Sequence, residues 1–145
     1  MLDEFLLRTQ DFGVQPVERL RDLLNHSVNG NQVLLHGHCY QKTQPPADDG
    51  LPSGQQATEI LLSALGFEVE LVNSGCCGMA GSFGYEAEHY DLSMQIGEMV
   101  LFPAVRDAAA DRQVVASGVS CRAQIASGTG RNALHPVSLI AERLS

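Results

Sequence analysis

Four cysteines carry the chemistry this chain offers: Cys39, the adjacent pair Cys76 and Cys77, and Cys121. The pair lies in a stretch punctuated by glycine, Asn73-Ser74-Gly75-Cys76-Cys77-Gly78-Met79-Ala80-Gly81-Ser82-Phe83-Gly84. Each of the three cysteine sites directly follows a short apolar run that reads as a β-strand. If those strands lie parallel in one sheet, all four thiols gather at one edge. Soft thiolates favour iron–sulfur clusters, zinc or copper(I), and four of them meet the ligand count of a structural zinc or a cluster. Adjacent side chains diverge along an extended chain, so both reach one small ion only through a tight turn. Gly75 and Gly78 permit such a turn. A multi-iron cluster presents several metal atoms and suits the pair better than one tetrahedral zinc. Gly75, Gly78 and Gly81 would shape the loop, and their N–H groups would hydrogen-bond to cluster sulfurs.

The bland reading of each feature sets its weight. A lone cysteine after a strand is more often a buried apolar residue than a ligand, so the co-location of three strand ends counts for more than any one thiol. His36 and His38 flank Gly37 beside Cys39, which turns one toward the cluster and the other toward the core. His38 is the stronger candidate for a ligand or supporting residue, and His135 is a weaker one. His26 and His89 read as surface or packing residues. Met79, Met94 and Met99 read as core, and Glu86 and Glu88 as charges favoured at a helix N-terminus. The glycine-rich stretch lacks the Gly-Lys-Ser/Thr ending of a phosphate loop and does not match G-x-G-x-x-G. No Ser-His-Asp constellation is present. Cys76 and Cys77 as a redox-active thiol pair form a further reading, with no base assigned by spacing.

The chain of 145 residues fits one domain with a real core, at 44% hydrophobic and 18% charged residues. A net charge of −8 without a Lys/Arg cluster makes nucleic acid and anionic membranes poor partners. The opening is acidic and does not read as a secretory signal. No run approaches the roughly 18 apolar residues that span a membrane. A Cys76–Cys77 disulfide would be strained, because neighbouring Cα atoms sit about 3.8 Å apart and a disulfide prefers about 4.4–6.8 Å. Reduced cysteines in a cytosolic compartment are the better reading.

These elements must position the thiols. Residues 2–9 and 16–25 read as helices, the second with Val17, Leu20, Leu23 and Leu24 at helical spacing. Val33-Leu34-Leu35 is a strand leading to Cys39, followed by a loop from Gln41 to Ser53. Ser53 and Gln56 match a capping box. The next helix presents Ala57, Ile60, Leu61, Ala64 and Leu65 on one face and ends at Gly66. Phe67 to Val72 is the strand that delivers Cys76 and Cys77. A long helix is predicted from about Glu86 to Leu101, broken by Pro103, with a short helix through Ala110. Val114-Val115-Ala116 is the strand before Cys121, and a helix begins within residues 121–127. Gly128 to Gly130 forms a turn and Ala133-Leu134-His135 a fourth short strand. Val137, Ile140, Ala141 and Leu144 line a closing helix from Pro136. The fold class is α/β, a three- to four-stranded parallel sheet flanked by helices with the cysteines at the carboxyl ends of the strands. Residues 1–30 form an N-terminal helical segment and residues 31–145 the cysteine-rich α/β domain.

Cys39, thirty-six intervening residues, Cys76-Cys77-Gly78, forty-three more and then Cys121 resemble the CCG cysteine-rich domain. That family includes a subunit of the heterodisulfide reductases, the iron–sulfur subunits of glycolate oxidase and anaerobic glycerol-3-phosphate dehydrogenase, and the C-terminal part of FAD-linked oxidases. The likeness covers Val33 to Leu144. The wording Leu35-His36-Gly37-His38-Cys39-Tyr40-Gln41-Lys42, Gly75 to Glu86, and Gly118-Val119-Ser120-Cys121-Arg122-Ala123-Gln124-Ile125 is similar to the large FAD-linked oxidases of the D-2-hydroxyglutarate and D-lactate dehydrogenase kind. The resemblance implies a 4Fe–4S cluster or a zinc on Cys39, Cys76, Cys77 and Cys121. It also implies FAD in a parent enzyme rather than in this domain, and a flavin domain or electron-acceptor protein as partner. The chain would then be an excised domain, not a dehydrogenase by itself. Its location would be cytoplasmic, peripheral to the inner membrane face through the parent enzyme. The family's final Cys-x-x-Cys reads Cys121-Arg122-Ala123-Gln124 here, without the fifth cysteine. A four-cysteine cluster, a zinc or an empty site stay open at this point, as does a docking module with vestigial cysteines.

Overall fold

The computed structural model describes residues 2–9, 15–25 and 31–144. His26 lies outside the described residues. In chain order the elements are α1 (Leu2–Arg8), α2 (Pro16–Leu23), β1 (Gln32–His36), α3 (Cys39–Thr43), α4 (Gly54–Ala64), β2 (Glu68–Leu71), a single 3-10 turn (Phe83–Tyr85), α5 (Tyr90–Met99), α6 (Leu101–Asp107), β3 (Gln113–Ala116), α7 (Val119–Thr129) and α8 (Pro136–Arg143).

The sheet is three-stranded in the order β2-β1-β3, and both pairings are parallel. Successive side chains of a strand point to opposite faces, and here both faces are covered. Val33, Leu35 and Val115 join Leu61, Leu62, Leu65 and Leu139 on one side. Leu34, Val114 and Ala116 join Leu101, Phe102, Val105 and Ile125 on the other. The central strand β1 is accordingly a continuous apolar run, as parallel sheets require. The edge strand β2 alternates, with Glu68 and Glu70 exposed. Register pairs Leu35 with Leu71 and His36 with Ala116. The carboxyl ends of all three strands therefore lie side by side, as the strand-and-helix order predicts.

Several local expectations change. The fourth strand shrinks to one parallel bridge, Val115 with Leu134. Leu134 N–H donates to the Val114 carbonyl (2.8 Å) and the Leu134 carbonyl accepts from Ala116 (2.9 Å). Pro136 then starts α8 and stops any extension. The long helix begins only at Tyr90, so Glu86 and Glu88 precede it, and Glu86 pairs with His89 at 2.9 Å. Pro103 does not break a helix. It sits in the first turn of α6, where its missing N–H is not needed. The break lies at Val100, whose φ of −146° is not helical.

Ser53 does not cap α4 through its side chain; its hydroxyl donates to the Pro45 carbonyl at 2.9 Å. The anion at that helix end is Glu4 of α1, which accepts the Gly54 N–H at 2.9 Å. The loop after Cys39 starts with the short helix α3, and α7 begins at Val119, before the predicted residues 121–127. Leu23 and Met99 are 65% and 78% exposed, off the faces their spacing suggests, whereas Met79 is buried and Met94 packs on the core.

Phe102 is wholly buried, its ring against Gly97 of α5 and Gly128 of α7. Phe102→Ala is expected to cost about 3–5 kcal/mol of unfolding free energy, measured by denaturant titration. A loss under roughly 1 kcal/mol would show that α5–α7 do not close over this face.

Candidate metal centre

Three strand ends build the site. β1 ends at His36, and Gly37-His38 lead into α3, whose first residue is Cys39. His38 caps that helix: its Nδ1 accepts from Tyr40 N–H (3.3 Å) and its own N–H donates to Gln41 Oε1 (3.0 Å). Gln41 Nε2 donates in turn to Thr58 Oγ1 (3.1 Å), which fastens α3 to α4. A five-residue helix has little stability alone, so these bonds set where Cys39 points.

The second strand end carries the vicinal pair. The Lys42 ammonium donates to the carbonyls of Ser74 (2.6 Å) and Gly75 (3.0 Å) and to Ser74 Oγ (3.3 Å). This pins the start of the loop to α3. The turn after the pair falls at Gly78, with φ +100°. A Cβ there would lie 2.1 Å from the Ser93 carbonyl oxygen, so only glycine fits. Gly78 N–H donates to Cys76 Sγ at 3.3 Å. Gly81 also has a positive φ of 72°, whereas Gly75 has neither a positive φ nor a close neighbour, and nothing in the fold requires glycine there.

The third strand end is held by Arg122, which donates to the carbonyls of Ala116 and Ser117, both at 2.8 Å. Cys121 lies in the first turn of α7. At Gly118 a Cβ would come within 2.5 Å of the His38 ring and 2.8 Å of Cys121 Sγ, so the close approach of β1 and β3 loops depends on its absence. Gln124, three residues after Cys121, is buried and donates to the Ser93 carbonyl (3.1 Å) and hydroxyl (2.9 Å).

The thiols form two tiers. Cys39 and Cys76 are half-buried, with their sulfurs 3.7 Å apart. Cys77 and Cys121 are buried, and their sulfurs and a ring nitrogen of His36 all lie within 4.8 Å of one another. All four cysteines are free. The Cys121 thiol donates toward Cys77 and holds the Cys77 thiol well below its ordinary pKa, helped by His36 and the Met79 N–H against the cost of burial. The same contact with Cys77, and then burial, pushes the Cys121 thiol up. Burial, then Cys76, raises Cys39. Burial lowers Lys42, opposed by the charges of the four thiols. Opposed shifts of this kind are what crowded sulfur anions produce.

The histidines separate clearly. His36 is 0% exposed and stands among the thiols. His38 caps α3 and stacks on Tyr40 at 5.6 Å. His135 caps α8, its Nδ1 accepting from Val137 N–H at 3.1 Å, and His89 stacks on Phe83 at 4.0 Å. Lys42, Gly118 and His36 are the site residues that spacing alone underrates. Lys42 has a legible signal, since it lies one helical turn after Cys39. An apolar cavity of about 550 Å³ lies elsewhere, between α1, α2, α4 and α8, and no thiol lines it.

A parallel α/β sheet that gathers free thiols at its carboxyl edge defines a cysteine-site domain rather than a disulfide scaffold. The chain belongs to the CCG family, described as a cysteine-rich domain, whose model matches residues 33–126 and so all four cysteines. It is 34% identical to the D-2-hydroxyglutarate dehydrogenase of Escherichia coli (strain K12) over 116 residues, which are 80% of this chain and 11% of that protein. It is 30% identical to the D-2-hydroxyglutarate dehydrogenase of Pseudomonas putida over 86% of this chain and 12% of that protein. It is 36% identical to a subunit of the anaerobic glycerol-3-phosphate dehydrogenase of Escherichia coli (strain K12) over 87 residues, 60% of this chain and 22% of that one. The chain thus spans about a ninth to a fifth of the length of these relatives. No solved structure matches it.

Gly78→Ala is expected to lower unfolding free energy by about 2–4 kcal/mol, combining positive-φ strain with the clash on Ser93. Denaturant unfolding of the reduced protein measures this. A change within about 0.5 kcal/mol would mean that the Cys-Cys-Gly turn is not built as described.

Proposed function

We propose that this chain is the thiolate metal-binding, electron-transfer domain of a larger flavin-linked 2-hydroxy-acid oxidoreductase. Cys39, Cys76, Cys77 and Cys121 would hold a 4Fe–4S cluster. The observation that carries the reading is the convergence of four free thiols on one edge of the sheet, two of them buried. The donor set fits a thiophilic metal, because four free thiols, two of them buried, crowd one sheet edge beside the half-buried Lys42 ammonium, and soft thiolates so placed gain most from a soft cation. The adjacent pair and the oxidoreductase relatives favour a cluster. Such a cluster supplies one-electron transfer when bound.

The chain's own residues would do the rest. Gly78 N–H, already on Cys76 Sγ, would hold that sulfur in place as a ligand. Leu34, Met79 and Ile125, buried with Cys77 and Cys121, keep water from the inner tier. Cys39 and Cys76 are half-buried, and two exposed apolar side chains flank the cysteines in the chain, Tyr40 directly after Cys39 at 81% exposure and Val119 two residues before Cys121 at 71%. These apolar side chains suit docking of a flavin domain or an electron-acceptor protein. Residues 31–145 would be the cysteine-rich unit and residues 1–30 its helical lead-in. Among the described residues no helix is long and apolar enough to cross a membrane, and a cytoplasmic place, peripheral through the parent enzyme, is part of the proposal.

A structural zinc is the second reading. The 3.7 Å between Cys39 and Cys76 sulfurs is close to the roughly 3.8 Å edge of a tetrahedron of thiolates about 2.3 Å from one ion. Burial of Cys77 at 2% exposure disfavours the thiol-redox reading, which needs an accessible thiolate.

The test is Cys77→Ser and Cys121→Ser in anaerobically purified protein. Metal per chain is expected to fall at least about tenfold with the circular dichroism spectrum retained. Full metal retention in both variants, or a metal-free but folded parent chain, would favour a docking module with vestigial cysteines.

A further inference from the structure

We propose that His36 binds the metal centre directly through Nε2, standing with Cys77 and Cys121 as the third donor of the buried tier. The inference rests on the metal-binding reading above and revises its ligand set: a 4Fe–4S cluster or a tetrahedral zinc takes four protein donors, so His36 would take the place of one of the half-buried thiols, Cys39 or Cys76.

His36 is the last residue of the central strand, in register with Ala116, and has 0% exposure. Its two nitrogens have different surroundings. Nδ1 is 3.0 Å from Ser74 Oγ, and that hydroxyl also receives the Lys42 ammonium at 3.3 Å. Nε2 is buried with no partner at hydrogen-bonding geometry, and the group that interacts with the ring on the site side is the Cys77 thiol. A buried polar atom left alone is costly, and in folded proteins such atoms nearly always have a partner, a water or an ion. The side chains that share its space are Cys77 and Cys121, whose sulfurs lie with the His36 ring within 4.8 Å.

Three mutually close donors, one nitrogen and two sulfurs, are a recognised set for zinc and for iron. The arrangement behind the ring is the one that metal-binding imidazoles use. One nitrogen is held by a polar partner that fixes the ring plane, which leaves the other aimed at the ion. Here that partner is Ser74, itself positioned by Lys42. No other histidine of the described residues offers this: Nδ1 of His38 and of His135 are used as helix caps, and His89 pairs with Glu86. Gln124 is committed to Ser93 and takes no part.

Cobalt(II) is the probe. The full chain, labelled with nitrogen-15 histidine and reduced under anaerobic conditions, is titrated with cobalt(II). It is then read by optical absorption and pulsed electron paramagnetic resonance. The expected result is thiolate-to-cobalt charge transfer together with a directly coupled histidine nitrogen. That coupling should vanish in His36→Gln and persist in His38→Gln, and cobalt affinity should fall about tenfold or more in the first variant alone. Thiolate charge transfer in the parent chain without any histidine coupling overturns the inference and leaves the metal-binding reading standing. A folded, reduced parent chain that takes up no cobalt overturns both. If His36→Gln does not fold, persistence of the coupling in each of the His26→Gln, His38→Gln, His89→Gln and His135→Gln variants assigns it to His36, and its loss in any one of them overturns the inference.

Discussion

Parallel pairing of β1 with both of its neighbours is the constraint on which the rest depends. Reversing either partner would send its carboxyl end, and its cysteine, to the opposite side of the molecule. Slipping the register by one residue would exchange the two faces of the strand and turn His36 away from the thiols. The register of Leu35 with Leu71 and His36 with Ala116 prevents both. It is enforced by burial, since Val33, Leu34 and Leu35 of the central strand are nearly inaccessible on either face. The hydrophobic effect that covers the sheet is therefore what places sulfur beside sulfur.

That placement opposes itself electrostatically. Ionised thiols a few ångströms apart repel, and burial disfavours each charge again. The fold answers with short-range devices instead of a counter-ion for each sulfur. Contact between Cys121 and Cys77 holds the Cys77 thiol low and pushes Cys121 up, Gly78 N–H donates to Cys76, and the Lys42 ammonium spans the loop carbonyls beside them. The two tiers divide the work. Burial of Cys77, Cys121 and His36 supplies a dry interior, while the half-buried Cys39 and Cys76 keep one side near solvent.

Much of this is legible in the sequence because it rests on period and position. Apolar runs ending in cysteine predict parallel strands with thiols at their carboxyl ends, and the sheet has that form. Pattern alone cannot tell a helix start from a preceding turn, so it assigns Glu86 and Glu88 to a helix that begins only at Tyr90. Pro103 reads as a breaker, yet a proline is harmless in a first turn, and sequence does not reveal where the first turn is. Ser53 loses its capping role to Glu4, a residue some fifty positions away that only the packing of α1 brings near. His36 and His38 flank one glycine, and which of them faces the sulfurs depends on where the strand ends and α3 begins.

The most direct measurement is metal content together with the absorption spectrum of the chain purified without oxygen. A thiolate-bound metal is expected in near-stoichiometric amount, with iron and a broad band in the visible marking a cluster. A folded, fully reduced chain that carries no metal and takes up neither iron nor zinc would contradict it.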